Sequence, residues 1–389
     1  MSEELHAADR AAHTGNDEFL LTPGPLTTSL TVKQAMLRDW GSRDRQFIAL
    51  NARIRERLVA IVGGERSFVC VPVQGSGTFA VEATLGTLLP RDGRLLVLVN
   101  GAYGERMMKI AKYLGRPAMA LSCAEDRTPD LDSLAALLAE DRAITHVAAV
   151  HCETTSGILN PIEKIADIVV DHGRSLIIDA MSSFGAIPLH VQRVPCDAIV
   201  ASSNKCLEGV PGMAYAILRQ SVLEACEGNA HSLSLDLYDQ WRAMEGNGQW
   251  RFTPPTHVLA AFDQALHEFE EEGDVEARHA RYSANCRVLV DGMRAMGFET
   301  LLPDELQAPI IVTFRMPADP NFDFGAFYNR LAARGYVIYP GKLTVAPTFR
   351  IGCIGQLVKE DLEAALAVVR KVLDEMGVTQ CAPAADAAE

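Results

Sequence analysis

Residues 175–205 read SLIIDAMSSFGAIPLHVQRVPCDAIVASSNK. Two short apolar runs, SLIIDA and DAIVASS, lie within this stretch, and neither alternates polar with apolar residues. A strand wetted on one face alternates; near-continuous apolar runs belong to strands covered on both faces, as in a mostly parallel sheet. Three runs of the same kind come earlier: FVCVPV at 68–73, LLVLVN at 95–100 and HVAAVHC at 146–152. Helical patterns separate them. Ala80, Ala83, Thr84, Thr87 and Leu88 share one stripe of small residues, and Pro161 suits the first turn of another helix. This alternation predicts an α/β layered domain.

Toward the C-terminus, IIVTF at 310–314 and FRIGC at 349–353 read as strands. After the polar start VKED, Leu362, Ala365, Leu366, Val369, Leu373 and Met376 repeat at helical spacing. A small α+β domain over 271–378 is therefore expected beside a large domain over 20–270. Residues 1–19 and 379–389 are poor in large apolar side chains and are expected to fray.

With 389 residues, 48% hydrophobic and 22% charged, the chain is long enough for two domains and too apolar for wholesale disorder. Thirty-six Lys and Arg against fifty Asp and Glu leave a net charge of -14, which disfavours a nucleic-acid or anionic-membrane surface. An anionic ligand then needs a local basic pocket. The polar, acidic start lacks the basic and apolar regions of a secretory signal, and no apolar run approaches the roughly 18 residues of a membrane span. Nine scattered cysteines show no C-x-x-C and no zinc spacing, so no metal site and a cytoplasmic location are expected.

In open α/β sheets ligands bind beyond the carboxyl ends of the strands, which directs attention to the polar residues there. Gln74-Gly75-Ser76-Gly77-Thr78 follows one run and opens a helix, so its amides and hydroxyls could cradle a phosphate. Taken alone, the loop is better explained by a hydroxyl N-cap on a tight turn. Gly75, Gly77 and Ala80 also fit G-x-G-x-x-A, but the next run closes with Asn100, not an acid, which disfavours a nicotinamide site. Asp179 closes SLIID, either as a cap or as the partner of a buried cation. Lys205 lies one polar turn beyond DAIVA. Most lysines are solvated, yet its Ser, Asn and Gly neighbours look like a pocket wall, where a desolvated amine becomes a nucleophile toward an aldehyde. Arg350 in TFRIGCIG is either a surface ion-pair partner or a forked clamp for a carboxylate or phosphonate. A lysine for the aldehyde, an acid for the ring nitrogen and an anion cradle together point to pyridoxal 5'-phosphate.

The motifs LTPGP, GSGTFAVEA, NGAYGER, HCETTSGILNP, IIDAMSSFGA, SSNKCLEGVPG and FTPPT, running in order from residue 20 to 355, resemble those of the class V aminotransferases. The resemblance implies the fold-type I architecture, with a mostly parallel seven-stranded sheet and a small C-terminal α+β domain. It implies that Ser76, Gly77 and Thr78 bind the cofactor phosphate and that Tyr103 stacks on the ring. It further implies that Thr154 meets the phenolic oxygen, Asp179 the ring nitrogen, and Lys205 the aldehyde as an imine. Thr253 of FTPPT would reach the phosphate of a neighbouring subunit, making a homodimer; read alone it is a turn hydroxyl before Pro254. Pro23 and Gly24 would line the entrance. Arg350 would bind the acidic group of the substrates, with Arg43 and Arg45 as the next candidates, although surface salt bridges are their ordinary role. His151 reads as a core or support histidine, and Cys353 as a buried one. The motif set is most similar to a branch using 2-aminoethylphosphonate as amino donor and pyruvate as acceptor. Alanine or serine with glyoxylate or pyruvate is the alternative inside the family, and a catalytically silent cofactor-binding protein the alternative outside it.

Overall fold

The computed structural model describes residues 18–340 and 346–384; the fraying expected for residues 1–17 and 385–389 lies outside them. The strands in chain order are β1 (Phe19–Leu20), β2 (Phe68–Gln74), β3 (Arg94–Val99), β4 (Ala118–Ser122), β5 (Ile144–Val150), β6 (Cys152–Glu153), β7 (Ile158–Leu159), β8 (Ser175–Asp179), β9 (Ala198–Ser202), β10 (Met213–Arg219), β11 (Ile311–Arg315), β12 (Tyr336–Val337), β13 (Tyr339–Pro340) and β14 (Thr348–Gly352). The principal helices are α1 (Arg45–Ile61), α2 (Gly77–Leu88), α3 (Ala102–Tyr113), α4 (Leu131–Glu140), α5 (Ile162–Asp171), α6 (Leu237–Asn247), α7 (Thr256–Glu272), α8 (Asp274–Ala295), α9 (Phe324–Ala332) and α10 (Lys359–Met376).

Seven strands form the large sheet in the order β2-β10-β9-β8-β5-β3-β4, and β10 alone runs antiparallel to its neighbours. Side chains alternate between the two faces: Leu96 and Leu98 join the core under α1, α4, α5 and α7, while Leu95, Val97 and Val99 join the core under α2, α3 and α6. Covering on both faces is why these strands read as continuous apolar runs. The small-residue stripe lies on α2, where Ala80, Ala83, Thr84, Thr87 and Leu88 are all buried.

The small domain packs α8, α9 and α10 on a three-stranded antiparallel sheet ordered β11-β14-β13. Its boundary differs from the sequence expectation at both ends. Phe19 and Leu20 pair in parallel with Tyr336 and Val337, and Phe19 and Leu21 are buried in the small-domain core, so this N-terminal piece belongs there and not to the large domain. At the other end, Asp319 accepts the N–H groups of Thr379 and Gln380, and Ala318 donates to Ala382. These contacts order residues 379–382, where composition alone predicted fraying. Among the described residues no helix is long and apolar enough to cross a membrane.

Candidate active site

Because β10 is antiparallel, β2, β3, β5, β8 and β9 all point their carboxyl ends to one edge of the sheet. A cavity of about 310 Å³ lies there, lined by Gly24, Ser76, Gly77, Thr78, Tyr103, Arg106, Asp179, Met181, Ser202, Asn204 and Lys205 among others. Seven of the expected site residues thus meet at one place, although they come from five separate segments of chain.

Lys205 reaches this cavity from the turn after β9. Its Nζ donates to Pro23 O at 2.9 Å and Gly24 O at 3.4 Å. Gly24 has φ 118°, and a Cβ there would sit 2.6 Å from both Lys205 Cδ and Asn204 O, so only glycine lets the LTPGP turn abut the lysine stem. Burial pushes the ammonium down to about 8, against the opposing pull of the Asp179 carboxylate. Asp179 is 4% exposed, and burial raises its carboxyl from 3.8 to about 6. Its Oδ1 accepts the Met181 N–H at 2.9 Å, while its other oxygen has no hydrogen-bond partner among the described residues.

Ser76 caps α2 with extended backbone but makes no side-chain cap bond, leaving its hydroxyl free for a ligand. The first-turn amides of Gly77 and Thr78 precede any intrahelical acceptor. A Cβ on Gly77 would come within 2.4 Å of Met181 Sδ, so glycine keeps this loop close to the floor of the cavity. Tyr103 lies in the first turn of α3. The α3 N-terminus has Gly101 as its cap residue, without a side-chain cap; instead buried Glu153 accepts the Tyr103 N–H at 3.3 Å and the Thr155 hydroxyl at 2.6 Å.

Arg350 is 1% exposed and stands behind this wall. Its Nη1 donates to Thr154 O at 2.7 Å, its Nη2 to Pro340 O at 3.1 Å, and its Cζ lies 4.8 Å over the Tyr339 ring. Its Nε is buried without a partner. The alternative of a surface ion pair is thereby removed. Thr154 is also buried and shares a hydrogen bond with the Ser182 hydroxyl at 2.9 Å, so neither it nor Arg350 lines the cavity directly. Thr253 is exposed and lies outside the cavity of its own chain. Arg43 and Arg45 are exposed and outside it as well. His151 is buried, which drives its imidazolium down to about 4, and Cys353 is fully buried.

Two residues escaped the sequence analysis. Arg106 lines the cavity, donates to Thr78 Oγ1 at 3.2 Å and stacks its Cζ 4.7 Å over the Tyr103 ring. Its helical spacing of three from Tyr103 was a usable signal. Glu153 adjoins Thr154 in HCETTSG, but nothing in that motif tells that its carboxylate turns under α3.

Residues 29–352 match the family described as aminotransferase class-V. The chain belongs to the class V aminotransferases. It is 56% identical over 363 residues to the 2-aminoethylphosphonate–pyruvate transaminase of Pseudomonas putida, covering 93% of this chain and 99% of that one. A second such relative, 2-aminoethylphosphonate–pyruvate transaminase 2 of Burkholderia lata, is 56% identical over 92% of this chain and 96% of its own length. Among solved structures, alanine–glyoxylate aminotransferase from Nostoc sp. superposes with a TM-score of 0.86 over 92% of this chain and 95% of that one, at 24% identity, which confirms the fold-type I architecture.

Pyridoxal phosphate is the cofactor of this family, and the residues present fit it. A lysine amine of lowered basicity, a buried carboxylate with one unpaired oxygen and an uncapped helix N-terminus with a free hydroxyl all face one cavity. These are the three groups that the aldehyde, the ring nitrogen and the phosphate require.

Proposed function

We propose that this class V aminotransferase moves the amino group of 2-aminoethylphosphonate to pyruvate, giving phosphonoacetaldehyde and L-alanine. The observation that carries this reading is the 56% identity to the Pseudomonas putida enzyme across 99% of its length. Bound pyridoxal phosphate supplies an aldehyde that takes up amino groups and a ring that draws electrons from the carbon beside them. Ser76, Gly77 and Thr78 hold its phosphate, Tyr103 covers the ring, and Thr154 serves the phenolic oxygen. Asp179 keeps the ring nitrogen protonated: the buried carboxylate, strained toward protonation on its own, is satisfied by a cation at its unpaired oxygen. Lys205 would hold the cofactor through its aldehyde, and its amine would carry a proton to and from the substrate carbon. Burial lowers the basicity of this amine, which favours its use as a nucleophile and a proton carrier.

Arg350 takes the phosphonate and the pyruvate carboxylate in turn, exchanging carbonyl contacts for a charged partner; its unpaired Nε supports this role. Pro23 and Gly24 flank the entrance. Because Thr253 is exposed and lies outside the cavity lining of its own chain, we infer a homodimer in which it reaches the phosphate in the neighbour's site. Mixing Lys205→Ala with Thr253→Ala chains under exchange conditions then restores partial activity, since each mixed dimer keeps one intact site. Exchange without recovery removes Thr253 from the shared site. The substrate assignment is tested by a donor screen with pyruvate as acceptor, read by alanine formation. 2-Aminoethylphosphonate should exceed serine and other amino acids by a wide margin in kcat/KM; a preference for serine or for glyoxylate as acceptor overturns it.

A further inference from the structure

A largely buried cluster of charges adjoins the turn after Lys205, outside the cavity lining, and nothing in the chemistry above uses it. Glu208 stands three residues after the lysine, and its N–H closes a turn onto Lys205 O at 2.8 Å. Its φ of 57° is one of only two positive values at non-glycine positions among the described residues; the other is Asp274, at the start of α8. Such backbone persists where surroundings over-determine it. The Glu208 carboxylate accepts from Arg281 Nη2 at 2.8 Å and from the Tyr282 hydroxyl. Arg278 donates to Cys206 O, and both Arg278 and Arg281 pair with Glu272 at 2.7 Å, so two positive charges meet two negative ones.

The contacts continue around to the other end of the lysine. Arg281 Nη1 donates to Gly355 O at 2.6 Å and Leu357 O at 3.1 Å, while the Gly355 N–H donates to the Tyr282 hydroxyl at 3.2 Å. The next residue, Gln356, donates its N–H to Thr27 O at 2.8 Å. Thr27 ends the segment whose Pro23 and Gly24 carbonyls accept the Lys205 amine. The path is closed: lysine main chain, Glu208, Arg281 and Tyr282, residues 355–357, segment 22–27, lysine amine.

We propose that Glu208, Arg281 and Tyr282 are positioning residues that clamp Lys205 from both ends, fixing its main chain through the 205–208 turn and its amine through the 22–27 segment. Apolar side chains of similar volume would stabilise the fold at least as well as a buried ion cluster. What the ions add is directional contact with the carbonyls of two chain segments, Cys206 beside the lysine and Gly355 and Leu357 beside segment 22–27. A lysine that must both hold the cofactor and return to a substrate carbon gains from a fixed origin, because displacement by about 1 Å can cost on the order of a hundredfold in rate.

The test uses the full chain with Tyr282→Phe, Glu208→Gln and Glu208→Ala. Amide hydrogen exchange of peptides spanning 22–27 and 203–209 is followed by mass spectrometry, and kcat and KM are measured on the holoenzyme. With Tyr282→Phe and Glu208→Ala, exchange should rise in both segments together, and kcat should fall on the order of tenfold with KM for both substrates within about twofold. Glu208→Gln, whose amide oxygen still accepts from Tyr282, should recover most of the loss. If exchange rises at 203–209 alone, or if kcat is unchanged in a folded variant, the clamp is overturned. Should Glu208→Ala fail to fold, Tyr282→Phe, which removes one hydroxyl, decides. The kinetic arm rests on the proposed transamination; a wild-type chain that transfers no amino group would defeat that reading, while the exchange arm still decides the clamp.

Discussion

The cavity wall and the small-domain layer behind it are built by opposite means. The large-domain wall presents groups that have little else to do: the Ser76 hydroxyl makes no cap bond, and one Asp179 oxygen has no partner among the described residues. The small-domain layer behind it holds Arg350 already engaged, with both terminal nitrogens on main-chain carbonyls and its face against Tyr339. A permanently held ligand favours the first arrangement, since preorganised unpaired groups cost stability only until it binds. Ligands that come and go favour the second, because a guanidinium left bare and buried between turnovers would carry a large desolvation cost. The difference predicts that lesions in the wall act on holding and using the cofactor, and lesions in the layer behind it act on substrate capture.

Lys205→Ala should be the most damaging change. Among the described residues no other lysine lines the cavity, so both the reducible bond to the cofactor and the proton carrier disappear, with a loss of about 10⁴-fold or more in kcat. Borohydride reduction followed by peptide mapping checks it; label on a different lysine would move the chemistry elsewhere.

Asp179→Asn ranks next and separates function from stability. Turnover should fall on the order of 10² to 10⁴-fold, because an amide does not hold a proton on the ring nitrogen. Without cofactor the same change should stabilise the chain. Burial raises the Asp179 carboxyl from 3.8 to about 6, so its effect on stability is most favourable below 3.8, where folded and unfolded forms are both protonated, and worsens as pH rises through 6. Above that range the wild-type chain carries a buried carboxylate that asparagine lacks, worth up to about 3 kcal/mol. Thermal unfolding of the cofactor-free chains at pH 8 and pH 4 should show an advantage for asparagine that shrinks on acidification. A constant difference across that range would mean that Asp179 is not the group titrating.

What the sequence disclosed follows the same division. Lys205, Asp179 and the Ser76–Thr78 loop were legible because strand ends of a parallel sheet are recognisable from a single run of residues, and ligands gather there. β4 was not: it is an edge strand with a half-exposed pattern and carries no continuous apolar run. β10 lies beyond the lysine turn, and its antiparallel direction, which brings β2 into line with the site, cannot be seen in local pattern. The membership of Phe19 in the small domain depends on a partner at Tyr336, and the tie from Glu208 to Arg281 spans 73 residues. Contacts of that range have no signature in a single sequence. Arg350 falls between: its residue type announced an anion clamp, but not that carbonyls of Thr154 and Pro340 would occupy its fork.

Arg350→Lys tests that intermediate case and should have the smallest effect of the three. The substitution keeps a positive charge but supplies one ammonium in place of a forked pair, so it can satisfy either a carbonyl or an oxyanion, not the two-point contact. Capture of 2-aminoethylphosphonate and of pyruvate should each weaken, by on the order of 10 to 1,000-fold in kcat/KM. The visible absorbance of the bound cofactor and its affinity should stay close to wild type, because Arg350 does not line the cavity that Lys205 and Asp179 share. A loss confined to pyruvate, with normal handling of the phosphonate, would separate the two anion sites. Arg106 would then be the nearer candidate for the phosphonate, since it lines the cavity, whereas Arg43 and Arg45 stand exposed outside it. A variant that loses cofactor as well as substrate would show that the cavity wall and the layer behind it do not act separately.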